Sequence, residues 1–295
     1  MNELRIIFMG TPEFAVPSLE ILLEHGYNVV AVVTAPDKPQ GRGQKIDMSP
    51  VKVSALKHNL PVLQPTNLKS PEFIASLRSL NANLQIVVAF RMLPEAVWSM
   101  PELGTFNLHA SLLPQYRGAA PIHWAVINGE RETGVTTFFL RHEIDTGSII
   151  FQDHEPIHED DTVGSVYERL MAKGSTLVLR TVKAIEAGNA PSLPQHDSGP
   201  LKHAPKIFRD TCEIKWDRPV YEIRNFIRGL NPFPTAWTIL RGKPFKILRA
   251  QVQPGGDAVT GTIETDDKTF LRVRASDGWI AIEELQPEGK RKMNV

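Results

Sequence analysis

The sequence of 295 residues contains a single cysteine, Cys212, which excludes an intramolecular disulfide and a zinc site built on several cysteines. We interpret it as an ordinary buried or half-buried thiol. No apolar run approaches the ~20 residues that a membrane-spanning helix needs. The chain begins with a predicted strand rather than a signal peptide. These absences predict a cytoplasmic globular protein without a membrane partner.

Net charge is also lacking, because 33 Lys and Arg balance 33 Asp and Glu. The balance is uneven along the chain. Residues 1–202 hold 17 basic and 21 acidic residues, a net of −4, whereas residues 203–295 hold 16 and 12, a net of +4. A mildly basic C-terminal part suits a phosphate backbone, although an ordinary solvated surface often has such a charge.

Several motifs are missing as well. The first predicted strand leads into Gly10-Thr11-Pro12-Glu13-Phe14-Ala15, which has one glycine where the dinucleotide-binding fingerprint has three. The Gly-x-Ser-x-Gly motif of hydrolases is absent. His154 and His158 are separated by Pro156, which argues against a shared helical face, so we interpret them as surface histidines. We therefore predict no metal and no bound NAD or ATP.

The hydrophobic pattern predicts an α/β fold for the first part of the chain. Apolar runs over residues 5–10 and 28–34 flank an amphipathic helix, and this strand-helix-strand order is typical of a parallel sheet. Further helices are predicted over residues 50–56, 71–80, 94–99, 121–128 and 163–187, and further strands over 84–90, 134–140 and 147–151. We predict a Rossmann-like parallel-sheet domain over residues 1–188.

A different pattern follows in the last third of the chain. Residues 189–205 contain Pro191, Pro194, Gly199 and Pro200 with little hydrophobic periodicity, and are predicted to be a linker. A predicted helix over residues 220–230 precedes short alternating runs at 235–240, 245–252, 261–265, 270–275 and 279–285. Short strands at this spacing predict a small β-barrel, OB-like domain over residues 206–295.

The stretch from Thr105 to Gly118 carries the first candidate chemistry. Asn107 and His109 are two residues apart on a predicted strand, so they share a face with Cα atoms about 7 Å apart. Their neighbours are apolar, and a polar pair in a covered strand needs partners. The pair is either hydrogen-bonded within the core, or it combines an oxyanion donor, Asn107, with a proton-transfer group, His109.

Asp145 is the third candidate, in the connection between two predicted strands. An aspartate before Thr-Gly is often a turn residue that hydrogen-bonds its own backbone. Ligands of parallel sheets, however, gather beyond the carboxyl ends of the strands. There, Asp145 could orient His109 or accept a hydrogen bond from an attacking amine.

The connection over residues 37–45 is basic, because it carries Lys38, Arg42 and Lys45. Glycines on both sides of Arg42 let the backbone bend, so Arg42 could bind a phosphate or stack on a base. A flexible, solvated loop is the alternative. Its length for a strand-to-helix connection favours a function.

At Ser111-Leu112-Leu113-Pro114, between Asn107-Leu108-His109 and Tyr116-Arg117-Gly118-Ala119-Ala120-Pro121-Ile122, the chain closely resembles the methionyl-tRNA formyltransferase family. The resemblance covers nearly the whole length. The motif Asn-x-His-x-Ser-x-Leu-Pro with a later Asp is shared by other 10-formyltetrahydrofolate enzymes, so it indicates only the co-substrate and the reaction. The Arg-Gly-Ala-Ala-Pro-Ile continuation, the basic loop and the second domain indicate the tRNA enzyme.

The resemblance implies transfer of a formyl group from 10-formyltetrahydrofolate to the α-amino group of methionyl-tRNA, an aminoacylated initiator tRNA, in translation initiation. It implies that Asn107, His109 and Asp145 are catalytic. The folate would lie against the wall formed by Ser111, Leu112, Leu113 and Pro114.

The resemblance also implies how the tRNA binds. Arg42 and Lys45 would contact the tRNA, with Lys38 a further candidate, and the C-terminal barrel would bind it as well. We expect a monomer. Two alternatives stay open. One is a formyltransferase acting on a small amine, such as a nucleotide or an amino sugar, which would not need residues 203–295. The other is a folate- or RNA-binding module without catalysis, against which the complete candidate set argues.

Overall fold

The structure, a computed structural model, describes residues 3–40, 45–196, 199–240 and 242–295. The chain forms two compact units, each assembled from separate stretches. The first comprises Met1–Arg117, Gly134–Glu155 and Arg169–Leu201, and the second comprises Gly118–Thr133, Pro156–Glu168 and Lys202–Val295. The division of the sequence at residues 188 and 205 stays a prediction.

The described strands, in chain order, are β1 (Arg5–Gly10), β2 (Asn28–Val33), β3 (Lys38–Gln40), β4 (Lys45–Asp47), β5 (Val62–Leu63), β6 (Leu84–Val88), β7 (Thr105–His109), β8 (Arg117–Gly118), β9 (Glu132–Phe139), β10 (Ile149–Pro156), β11 (His203–Ala204), β12 (Ala236–Leu240), β13 (Lys243–Pro254), β14 (Ile263–Thr265), β15 (Leu271–Arg274), β16 (Gly278–Pro287) and β17 (Met293–Asn294). The described α-helices are α1 (Val16–Glu24), α2 (Pro50–Lys57), α3 (Pro71–Ser79), α4 (Glu95–Trp98), α5 (Pro121–Ile127), α6 (Val163–Glu186) and α7 (Val220–Gly229). Short 3-10 helices cover Glu13–Ala15 and Arg209–Cys212.

A seven-stranded sheet with the order β10-β9-β7-β6-β1-β2-β5 forms the centre of the first unit. Strands β5, β2, β1, β6 and β7 pair in parallel, whereas β9 joins β7 antiparallel. Strands β1 and β6 are almost wholly buried, as expected for strands covered on both faces. The predicted Rossmann-like parallel sheet is confirmed, with an antiparallel extension at β9.

Sequence signals for helix starts agree with the structure. Ser49 and Ser70 cap α2 and α3, with Oγ accepting from the backbone N–H of Lys52 at 3.1 Å and of Phe73 at 3.2 Å. A proline follows each cap, where its missing N–H has no helical partner to lose. The long helix predicted over residues 163–187 is α6.

The basic connection is more ordered at its ends than a plain loop. Strand β3 pairs antiparallel with β4, with Lys38 opposite Asp47, so the two ends form a hairpin stem. The two described ends of the predicted loop are therefore short strands. The three-residue strands are too short to stand out as an alternating pattern in the sequence.

The second unit is built on an antiparallel sheet with the order β12-β13-β16-β15-β14, and β17 pairs with β16. Its core includes Ile223 and Ile227 of α7 and Ile280 of β16, and Cys212 is buried there. Burial raises the pKa of the Cys212 thiol, as expected for an ordinary structural cysteine. The predicted fold class, an α/β domain followed by a small β domain, is confirmed. No helix in the described part of the chain is both long and apolar enough to cross a membrane.

Candidate active site

Strand β7 places Asn107 and His109 inside the sheet of the first unit. Asn107 lies between Val87 of β6 and Phe138 of β9, and His109 is opposite Thr136. The predicted strand is thus present, and the alternation of side chains puts Asn107 and His109 on one face. His109 is buried and Asn107 is half-buried.

The Asn107 carboxamide has no hydrogen-bond partner among the residues that the structure describes. One interpretation of the sequence was that Asn107 and His109 form a hydrogen-bonded pair in the core. The structure shows no such bond to the Asn107 amide among the described residues. Its N–H groups are available to an oxygen that approaches from outside the chain. Asn107 can therefore supply a donor to a ligand without breaking an existing hydrogen bond.

The His109 ring is oriented by a backbone carbonyl. Its Nε2 lies 2.9 Å from the carbonyl oxygen of Tyr116, and since a carbonyl can only accept, Nε2 is the donor. The other nitrogen, Nδ1, faces the Asp145 carboxylate, with 3.8 Å between Nδ1 and Oδ2. Both side chains are largely buried, with 8% of His109 and 12% of Asp145 exposed. The structure thus brings together two residues that the sequence analysis could link only by topology.

Asp145 lies in the turn between β9 and β10 with a left-handed backbone, φ +55°. Aspartate tolerates this conformation better than most residues. Two positions later the turn passes so close to β9 that a Cβ on Gly147 would be 1.6 Å from the carbonyl oxygen of Phe139. Arg117 and Gln195 hydrogen-bond the backbone of the same turn. Gln195 was not predicted from the sequence, because it lies in the predicted linker.

The loop after β7 is fixed by one buried hydroxyl. Thr136 Oγ1 donates to the carbonyl of Ser111 at 2.6 Å and accepts from the Leu113 N–H at 3.2 Å and from Gln152 Nε2 at 3.0 Å. Gln152 also donates to the Leu113 carbonyl at 2.9 Å. Thr136 and Gln152 were not singled out from the sequence, since each is an ordinary polar residue on a strand.

The predicted folate wall has an inner and an outer part. Ser111 is wholly buried, and its Oγ donates to the carbonyl of Gln115 at 2.7 Å. Leu113 is also buried, whereas Leu112 and Pro114 are half-buried. Ser111 and Leu113 thus support the loop, and Leu112 and Pro114 present its surface.

Of the three predicted tRNA contacts, Lys38 and Lys45 lie within the described residues. Lys38 is exposed in β3, and the backbone of Lys45 lies in β4. The predicted contact Arg42 lies outside the described residues. The hairpin stem is anchored by Asp37, whose carboxylate accepts from the Lys52 ammonium and from Gln64 Nε2. Hydrogen bonds from Lys52 and then from Gln64 lower the pKa of Asp37 below its usual value.

Among the described residues, no group of three or more His, Cys, Asp or Glu side chains is placed so that it could bind a metal ion. His154 and His158 are both exposed, in keeping with surface histidines.

Two family models match the chain. The model described as formyl transferase covers residues 4–182, and the model described as formyl transferase, C-terminal domain, covers residues 206–295. Together with the parallel sheet and the polar cluster at β7, these matches define a two-domain formyl transferase.

Sequence relatives show which kind of formyl transferase the chain resembles. The chain is 55% identical to the methionyl-tRNA formyltransferase of Bacteroides fragilis, over 100% of this chain and 94% of the relative. It is 50% identical to that of Flavobacterium johnsoniae, over 100% of this chain and 95% of the relative. The chain belongs to the methionyl-tRNA formyltransferase family.

A solved structure shows the same fold at lower identity. The N-formyltransferase from Helicobacter canadensis, solved with folinic acid and dTDP-3-aminofucose, has a TM-score of 0.68 and 20% identity, over 98% of this chain and 100% of that one. At this identity the likeness concerns the fold alone.

Proposed function

We propose that the protein transfers the formyl group of 10-formyltetrahydrofolate to the α-amino group of methionyl-tRNA, the step that prepares the initiator tRNA for translation. Full-length identity of 50–55% to methionyl-tRNA formyltransferases supports this acceptor. The observation that carries the chemistry lies at the end of β7, where the Asp145 carboxylate faces the buried His109 imidazole. Asn107, on the same face of the strand, has an amide without a hydrogen-bond partner among the described residues.

In the proposed mechanism, Asn107 stabilises the charge that develops on the formyl oxygen. The neutral amine attacks the formyl carbon, a C–N bond forms, and the carbonyl oxygen becomes an oxyanion. A preoriented amide N–H stabilises such an oxyanion in a water-poor site. The Asn107 carboxamide suits this role because its donors are not engaged within the described protein.

His109 and Asp145 would remove the proton that the attacking amine must lose. The attacking nitrogen must lose a proton, and the folate N10 takes one up when its bond to the formyl carbon breaks. Because His109 Nε2 donates to the Tyr116 carbonyl, Nδ1 is the nitrogen that faces Asp145. Nδ1 can accept the proton of the amine and, once protonated, donate to the oxyanion. Asp145 positions the ring and assists proton removal.

The co-substrate would lie against Ser111, Leu112, Leu113 and Pro114, with Leu112 and Pro114 forming the contact surface. The tether of this loop to Thr136 fits such a role, because a fixed wall loses little entropy when a ligand binds.

The proposed tRNA contacts are Arg42, Lys45 and Lys38 in the basic connection, together with the C-terminal domain. The net charge of +4 over residues 203–295 supports the latter. We further infer a cytoplasmic monomer that binds no membrane.

The direct test is formylation of methionyl initiator tRNA by the purified full-length protein with and without 10-formyltetrahydrofolate. Formylmethionine is quantified after alkaline release from the tRNA. We expect product only when both substrates are present. A sugar nucleotide bearing a free amine serves as the competing acceptor. Formylation of that amine without formylation of the charged tRNA would instead establish the small-acceptor alternative.

Arg42→Ala tests the tRNA contact separately. If Arg42 contacts a phosphate, the variant should bind tRNA more weakly and lose about one unit from the slope of log affinity against log salt concentration. Folate KM should not change. Arg78→Ala, which removes an exposed arginine from α3, is the matched control. An unchanged salt slope in Arg42→Ala would remove this residue from the tRNA contacts.

A further inference from the structure

The turn that carries Asp145 needs outside support. Asp145 has φ +55°, a conformation that side chains other than glycine adopt at a cost of order 1 to 3 kcal/mol unless the surroundings impose it. Within the turn itself, Thr146 Oγ1 donates to the carbonyl of Glu143 at 3.1 Å and Arg141 Nη2 donates to Ser148 Oγ at 2.8 Å. Neither of these bonds involves the carbonyl oxygen of Asp145 or of Gly147. The carbonyls of Asp145 and Gly147 are bonded instead by side chains from other segments of the chain.

Gln195 supplies two of these contacts. Its Nε2 donates to the carbonyl of Asp145 at 2.7 Å and to the carbonyl of Gly147 at 2.9 Å. One carboxamide thus spans the residues on both sides of Thr146. The two N–H bonds of a primary amide suit two carbonyl acceptors, so a side chain without an NH₂ group cannot replace it.

Arg117 holds Gln195 in this orientation. Its Nη2 donates to Gln195 Oε1 at 2.6 Å and its Nε does so at 3.2 Å, and Nε also lies 3.1 Å from the Asp145 carbonyl. Because the guanidinium can only donate, Oε1 must face Arg117 and Nε2 must face the turn. The amide orientation is therefore determined by the chemistry of its partners.

The backbone around Gln195 is also anchored to the first unit. Leu193 and Ile149 exchange backbone hydrogen bonds of 2.7 and 2.9 Å, which attach this part of the connecting segment to the first residue of β10. Gln195 itself is half-buried. The segment that the sequence indicates as a spacer thus delivers a fixed side chain to the candidate active site.

We propose that Gln195, oriented by Arg117, is a positioning residue for the formyl transfer reaction. It holds the backbone of Asp145 and Gly147 so that the Asp145 carboxylate stays beside His109 Nδ1, at 3.8 Å. The inference rests on the proposed function of this pair. It adds that a residue of the predicted linker, Gln195, contributes to the catalytic geometry.

The test begins with Gln195→Ala and Gln195→Glu in the full-length protein. Glutamate preserves the length of the side chain and an oxygen for Arg117, but it offers no donor to the two carbonyls. Misplacement of a catalytic group by about 1 Å can cost on the order of 100-fold in rate, so we expect kcat to fall about 10- to 100-fold in both variants. The KM values for tRNA and folate should change by less than about threefold, because a positioning residue touches neither substrate.

A double-mutant cycle separates positioning from general stability. Asp145→Asn removes the carboxylate and tolerates a left-handed backbone. If Gln195 acts through Asp145, Gln195→Ala should reduce kcat in the wild-type background but have no further effect in Asp145→Asn. Ser192→Ala, an exposed change in the same segment, should leave kcat unchanged. Melting temperatures identify any loss of folded protein.

Two results would overturn the proposal. One is a wild-type kcat in both Gln195 variants. The other is a loss of kcat by the same factor in the wild-type and Asp145→Asn backgrounds, which would indicate a general structural role. Failure of the proposed function has a different signature, because the wild-type protein itself would then not formylate methionyl-tRNA.

Discussion

The two halves of the candidate site are held in different ways. Asn107 and His109 stand on a central strand, where the register with β6 and β9 determines their positions. Asp145 stands on a turn, where hydrogen bonds from Arg117 and Gln195 hold its backbone. A strand position is maintained by many backbone bonds that act together, whereas the turn depends on a few side chains. The strand half should therefore tolerate changes in its surroundings better than the turn half does.

The largest expected effect comes from removing the donor on the strand. Asn107→Ala should lower kcat about 100- to 1,000-fold, the usual loss for one oxyanion donor. Affinity for tRNA should change little, because the side chain acts in the transition state. Steady-state kinetics and tRNA binding check the two parts.

Asn189→Ala makes the same chemical change at an exposed site just beyond α6 and should turn over normally. If Asn107→Ala also turned over at the wild-type rate, the oxyanion role would be wrong.

A smaller effect is expected where a single hydroxyl supports the loop after β7. Thr136→Val leaves the Leu113 N–H and Gln152 Nε2 without their acceptor at this position, so the free energy of unfolding should fall by about 1 to 3 kcal/mol. Folate KM should rise as the loop loosens. Urea denaturation and folate kinetics measure the two effects.

Thr137→Val is the matched control for this change. Thr137 is also fully buried, but in the described part of the chain its hydroxyl has one partner, the Thr181 hydroxyl at 2.8 Å. Its loss should cost about 1 kcal/mol of unfolding free energy and leave folate KM unchanged. Equal folate KM values in the two variants would show that the tether does not shape the folate wall.

The smallest effect is expected at Asp37, where hydrogen bonds from Lys52 and Gln64 fix the start of the basic connection after β2. The pKa of Asp37 is lowered in the folded protein, so its carboxylate stabilises the fold above pH 3.8, its ordinary value, and this contribution is lost as the pH falls toward the folded value. Asp37→Asn should therefore melt at a lower temperature than wild type at pH 7. The gap should narrow below pH 3.8.

Asp47→Asn removes a charge from an exposed position in the same hairpin and controls for net charge. Its melting temperature over the same pH range gives the baseline against which the Asp37→Asn gap is read. A gap for Asp37→Asn that stayed constant down to pH 3 would mean that the ion pair with Lys52 contributes nothing to the pH dependence.

The same contrast explains what the sequence could predict. The buried strands, the caps at Ser49 and Ser70 and the shared face of Asn107 and His109 follow from local patterns, and the structure agrees with them. The hydrogen-bonded pair of Arg117 and Gln195 has no local pattern in the sequence, because the two residues are distant along the chain and each is of an ordinary polar type. Their meeting depends on how the chain folds back past β10. Positions fixed by periodicity were predictable here, and positions fixed by long-range side-chain bonds were not.

The most direct measurement is the single-turnover rate of formyl transfer by His109→Ala, with methionyl-tRNA and 10-formyltetrahydrofolate both at saturation. Positioned proton-transfer groups contribute about 100- to 10,000-fold to rate, so the variant should be slower by at least about 100-fold while it binds tRNA normally. A single-turnover rate equal to that of the wild type would contradict the assignment of the reaction to the buried imidazole at the end of β7.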